Sequence, residues 1–171
     1  YGEFGDFNVR FDIPKSFIIA ASGVVVEGNP GWEDVVVDTS IEYNVWLDIH
    51  NSNLIESSEN ERRIVTFLAE NVHDFAWVAS KDFLYEGGLS KDGKTKVHVL
   101  YDKQRGENWT KVVLERSINA LNWLEQKFGK YPYPQITTTD RIKSGGMEYP
   151  MLVMNGRDSE SLIVHEYGHI Y

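Results

Sequence analysis

The sequence predicts an α+β chain in which roughly a hundred strand-rich residues precede a segment carrying two helices. Three features predict it. Short β-branched or aromatic runs, punctuated by Gly, Pro and Asn, recur as far as Tyr101. An amphipathic period then runs from Glu107 to Phe128. Finally, an apolar run leads into His165-Glu166-Tyr167-Gly168-His169.

Taken in order, Phe7, Val9, Phe11 and Ile13 alternate with polar residues, which is the period of a half-buried strand. Phe17–Ala21, Val24–Val26, Val35–Val37 and Tyr43–Leu47 read as further strands, separated by Gly23, Gly28-Asn29-Pro30-Gly31 and other turn residues. Ser52 to Arg63 is polar and charged and reads as a hairpin loop or surface connection. Arg63–Leu68, Phe75–Ala79 and Lys96–Tyr101 complete the strand series, whose turn spacing suggests a sandwich or saddle-shaped sheet.

Beyond Asp102–Gly106, a polar linker, the period changes. Trp109, Val112, Val113, Ala120, Leu121, Leu124 and Phe128 recur at three- and four-residue spacing, and Gly129 ends that helix. Tyr131-Pro132-Tyr133-Pro134 blocks its continuation, and Gln135 to Thr139 reads as a strand. The expected division is a β-rich domain over 1–102 and a second domain beginning at 107. Downstream, the expected order is a Gly145-Gly146 loop, the strand Met151–Met154, an Asn155-Gly156 turn, and a helix opening at Asp158-Ser159-Glu160-Ser161.

On that last helix His165 and His169 lie four apart and share a face, so both imidazoles can meet one metal ion. Glu166 beside them is placed to act as general base toward a water on the metal. Glu148 stands seventeen residues before His165, within Gly145-Gly146-Met147-Glu148-Tyr149-Pro150. The glycines leave the backbone bare for a close approach by another chain. Seen alone, that hexapeptide reads better as a Gly-Gly turn between strands with a solvated Glu.

Together these motifs resemble the membrane alanyl aminopeptidase family of gluzincin zinc metallopeptidases. That family carries a G-x-M-E-N exopeptidase motif shortly before H-E-x-x-H, and Gly145-Gly146-Met147-Glu148-Tyr149 matches it with Tyr in place of Asn. Asn71 to Trp77 also looks like the strand closing the family's N-terminal domain. The resemblance implies that the stretch from 107 opens a thermolysin-like zinc peptidase domain, truncated after the H-E-x-x-H helix. It implies Zn2+ on His165 and His169, with a third ligand, a Glu, roughly twenty residues further on and so beyond Tyr171. It assigns Glu166 the base role, Glu148 the α-ammonium of a peptide with a free N-terminus, and Gly145, Gly146 and Met147 the peptide backbone. The chain is thus expected to be a fragment of a zinc aminopeptidase and inactive by itself. A β-sandwich binding module with a chance H-E-x-x-H, or a zinc endopeptidase or epoxide hydrolase of the same superfamily, are the alternatives.

Composition narrows the partners. The 171 residues are 42% hydrophobic and 13% aromatic, ample for a packed core. The net charge is −9 with scattered Lys and Arg, which argues against nucleic acid and anionic membrane surfaces. No apolar run reaches the length of a membrane span. The chain has no cysteine, which excludes disulfides and thiolate metal sites but fixes no compartment. His50, His73 and His98 read as structural, and oligomeric state is not legible.

Overall fold

The computed structural model describes residues 3–53, 60–140 and 142–171. Among the described residues, ten strands make three sheets and four α-helices accompany them, a mixed α+β architecture. Strands β1 (Gly5–Pro14), β3 (Val24–Gly28) and β4 (Arg62–Val72) make an antiparallel sheet in the order β1-β4-β3, and β2 (Ile18–Ala21) pairs with β5 (Trp77–Ser80). Ile19, Ala21, Val65 and Phe67 form the buried layer between these two sheets, with Phe11, Val25 and Phe75 packed against it.

The larger sheet carries the candidate site. Its order is β6-β7-β8-β10-β9, built from β6 (Phe83–Leu89), β7 (Lys96–Asp102), β8 (Gln135–Thr139), β9 (Gly146–Tyr149) and β10 (Leu152–Asn155). β7, β8 and β10 run parallel, and antiparallel β6 and β9 flank them. The expected division at 102–107 falls inside this sheet, because β7 before it pairs with β8 after it. The cores are continuous as well. Ala69 and Val72 of β4 pack with Met151, and Gln135 Nε2 donates to Gly23 O at 2.7 Å.

Several local readings are corrected. Tyr43–Leu47 is not a strand but the start of helix α1 (Tyr43–Asn53). Tyr43 and Trp46 are buried on one face, and Trp46 stacks on His50 one turn later, with ring centroids 4.7 Å apart. The Tyr43 ring lies where a β-carbon on Gly106 would otherwise sit, and its hydroxyl donates to Lys103 O. Tertiary packing here overrides the β preference of Tyr, Val and Trp. Val35–Val37 gives only a 3-10 turn (Trp32–Val35) and a single bridge from Val36 to Tyr85. Ser52 and Asn53 end α1 and Arg62 opens β4, so that stretch connects a helix to a strand, with 54–59 outside the described residues.

The long helix from Glu107 is two helices, α2 (Gly106–Trp109) and α3 (Val112–Phe128). The break is at Lys111, whose φ of 64° lies in the left-handed region. Buried Glu86 on β6 compensates it: both carboxylate oxygens accept from Lys111 N, and Tyr101 Oη donates to Oε1 at 2.6 Å. Glu86 therefore anchors Lys111, the N-cap residue of α3, from a different element. Burial pushes its carboxyl above the usual range, against the lowering effect of those hydrogen bonds.

Candidate metal centre and peptide edge

Helix α4 (Glu160–His169) packs between α3 and the β9–β10 edge of the sheet. Its inward residues Ile163 and Tyr167 are fully buried, and Tyr167 Oη lies 2.8 Å from Thr138 Oγ1. Thr138 is 3.3 Å from Ser117 Oγ, so one buried hydroxyl chain ties β8, α3 and α4 together. With that side locked inward, the 3.6-residue period turns His165 and His169 outward, and both are exposed.

Their Nε2 atoms converge to 3.0 Å, with ring planes 87° apart. Two nitrogens on one tetrahedral zinc stand roughly 3.3 Å apart, so this pair suits two ligands of such an ion. Imidazole nitrogens are the right donor chemistry for such an ion. Glu148, Glu166 and His169 bring one ligand atom each within 4.8 Å of one another, placing two carboxylates beside the histidine pair.

Glu166, unlike the two exposed histidines, is buried, at 3% exposure. It lies directly over Gly146, where a β-carbon would run into the carboxylate. The bare backbone anticipated there thus admits this side chain as close neighbour. Burial is the largest influence on Glu166 and raises its carboxyl above the usual range. The His165 charge pulls it down, while Glu148 pushes it up again, by charge and by a shared hydrogen bond. A carboxyl so poised is suited to taking and returning a proton.

Gly146, Met147 and Glu148 lie in β9, so the expected glycine loop is largely strand, with only Gly145 preceding it. Hydrogen bonding to β10 makes the hairpin: Glu148 faces Val153, Met147 faces Met154, and Gly146 faces Asn155. Gly156 N donates to Gly145 O at 2.9 Å, closing its open end. β9 is the last strand of the sheet, which leaves its outer backbone edge facing the α4 side without a further strand among the described residues. Glu148 is half-buried at the centre of that edge. The remaining histidines are elsewhere: His50 on α1, His73 edge-on to Phe4 with centroids 5.5 Å apart, and His98 buried against Trp32 and Tyr85.

No protein-family model and no curated protein matches the chain. Solved structures do. One is a two-domain M1 zinc metallopeptidase, solved as a mutant bound to L-arginine, at 15% identity and a TM-score of 0.65 over 98% of this chain and 34% of that one. M1 zinc metallopeptidase from Deinococcus radiodurans matches with the same identity, coverage and TM-score. A mutant of the latter gives a TM-score of 0.64 at 15% identity. At that identity the likeness is one of fold: the chain has the architecture of part of an M1 zinc metallopeptidase and spans about a third of its length. No helix among the described residues is long and apolar enough to cross a membrane.

Proposed function

We propose that this chain carries the metal-binding, proton-transferring and amine-binding residues of a zinc-dependent aminopeptidase, a metal-dependent peptide hydrolase of the M1 type. The observation that carries the proposal is one juxtaposition. The converging His165–His169 pair, the buried Glu166 and the edge strand bearing Glu148 meet on one side of one sheet. In this reading the stretch after β5 is the opening of a thermolysin-like domain, consistent with β6 and β7 sharing a sheet with β8 to β10.

His165 and His169 would hold Zn2+, together with a third protein ligand that the resemblance places outside this stretch. Zinc so held supplies Lewis-acid polarisation of a carbonyl and a water of lowered pKa. The chain's own residues do the rest. The open edge of β9 takes the peptide main chain as an added strand, its N–H and C=O groups pairing with the substrate's. Glu148 accepts the α-ammonium and sets the first peptide bond opposite the histidines. Glu166 takes a proton at its carboxylate and returns it to the departing amine. Gly145, Gly146 and Met147 form the backbone along which the peptide lies.

The test is substrate profiling of the zinc-loaded enzyme that contains this chain, with matched peptides carrying free or acetylated N-termini. Release of the first residue from free peptides only is the expected outcome. Equal cleavage of both at internal bonds would instead make it an endopeptidase, and Glu148 would no longer be the amine anchor.

A further inference from the structure

Asn155 closes β10 and is fully buried, yet neither its carboxamide oxygen nor its nitrogen meets a protein partner among the described residues. Buried amides are nearly always paired, with protein or with an ordered water. The strand register shows what lies next to this one. Asn155 stands directly opposite Gly146 in the antiparallel β9–β10 pair. Side chains at opposed positions share a face of the sheet, with Cβ atoms about 4.5–5.5 Å apart. Gly146 has no side chain, and the Glu166 carboxylate occupies that place. The carboxylate is therefore the cross-strand neighbour of an amide with one free donor group and one free acceptor.

The two groups make no direct hydrogen bond, and a bridging water is the usual way in which neighbouring buried polar groups are then satisfied. A carboxylate oxygen, an amide N–H and an amide C=O offer the two to four polar partners that a buried water needs. We propose that Asn155 is a positioning residue: its carboxamide and the Glu166 carboxylate hold one buried water between them, and that water fixes the carboxylate against β9. Its importance for chemistry rests on the reading of Glu166 as the base. Its existence does not.

The sequence hides this role. Asn155 sits before Gly156 and reads as a turn residue, whereas it is the last rung of the ladder, facing inward.

Two variants of similar shape separate the alternatives, Asn155→Thr keeping a hydroxyl and Asn155→Val keeping none. The readouts are the crystallographic map of this chain and the 13C resonance of the Glu166 side-chain carboxyl at one fixed pH, assigned by its loss in Glu166→Gln. The wild type and Asn155→Thr are expected to show an ordered water within hydrogen-bond reach of residue 155 and of Glu166. Asn155→Val is expected to lose that water and to shift the resonance. A wild-type map without the water, or a resonance unmoved in Asn155→Val, overturns the proposal. Should Asn155→Val fail to fold, the wild-type and Asn155→Thr maps decide it. Neither readout involves metal or turnover, so the result is independent of the peptide profiling that tests the peptidase reading.

Discussion

Tyr167 sets its hydroxyl 2.8 Å from Thr138 Oγ1, so the helix that carries both histidines is bolted to the sheet through the residue between them. The side chain is fully buried, and Thr138 also reaches Ser117 on α3. The orientation of the face that carries His165 and His169 thus follows from a contact on the opposite face of the same helix.

Tyr167→Phe keeps the ring and deletes only that hydroxyl. Denaturant unfolding should show a loss of about 1 kcal/mol, the net worth of one buried hydrogen bond, because Thr138 retains Ser117 as a partner. Tyr167→Ala also empties the ring's place between α3 and β8 and should lose about 3–5 kcal/mol. An unchanged stability in Tyr167→Phe would mean that the hydroxyl chain does not hold the helix.

His98 makes stability depend on pH. Burial holds it down to about 4 from its ordinary 6.5, with Lys96 adding a smaller push in the same direction, and the side chain lies against Trp32 and Tyr85. A depressed histidine favours the folded state above the unfolded value, where both states are neutral. As pH falls from 6.5 to about 4 the unfolded chain takes up a proton that the folded one refuses, so stability drops through that window. The loss from this residue is at most about 3 kcal/mol. Unfolding measured across that range should be flatter in His98→Gln, and an unchanged slope would remove His98 as its source.

The pairing of His165 with His169 was legible in the sequence because it lies within one helical turn, and α4 places both imidazoles together as the four-residue spacing requires. What the sequence could not display is everything that depends on sheet order. β6 went unread because Gly87 and Gly88 dilute its apolar pattern, although it forms a full ladder with β7 and carries Glu86, which holds Lys111 at the start of α3. Tyr43–Leu47 consists of residues that favour strands, and only Gly106, sixty-three positions on, makes the space that lets Tyr43 pack from a helix. The proximity of Glu148 to Glu166 comes from β9 lying at the sheet edge beside α4, a fact of topology.

Metal binding and proton transfer should separate by mutation in the zinc-loaded enzyme containing this chain. His165→Ala and His169→Ala each remove one of two converging nitrogens and should lose the metal, read as zinc content after dialysis. Glu166→Gln should keep the zinc, since the carboxylate lies over Gly146 on the buried side, while turnover falls at least about a hundred-fold. A Glu166→Gln enzyme that loses its zinc would make Glu166 a ligand, and the carboxylate grouping with His169 would then be part of the metal site.

Glu148 gives the sharpest separation of exopeptidase from endopeptidase. It sits half-buried at the middle of the open strand, beside a second carboxylate, so a cation there meets two negative partners in a partly dried site. Glu148→Ala should leave zinc content intact and reduce kcat/KM for peptides with a free N-terminus by about ten- to a hundred-fold, the worth of one charge-assisted hydrogen bond of roughly 1.5–3 kcal/mol. Acetylating the peptide should penalise the wild type by a similar factor, since it removes the same charge from the other side. The two losses should not add, because each deletes one partner of a single interaction, and the coupling in the double cycle should equal most of the single effect. Tyr149, directly after Glu148, pairs with Leu152 at the end of β9. Additive losses would show instead that Glu148 acts on the enzyme, through its neighbour Glu166, and that the amine is held elsewhere.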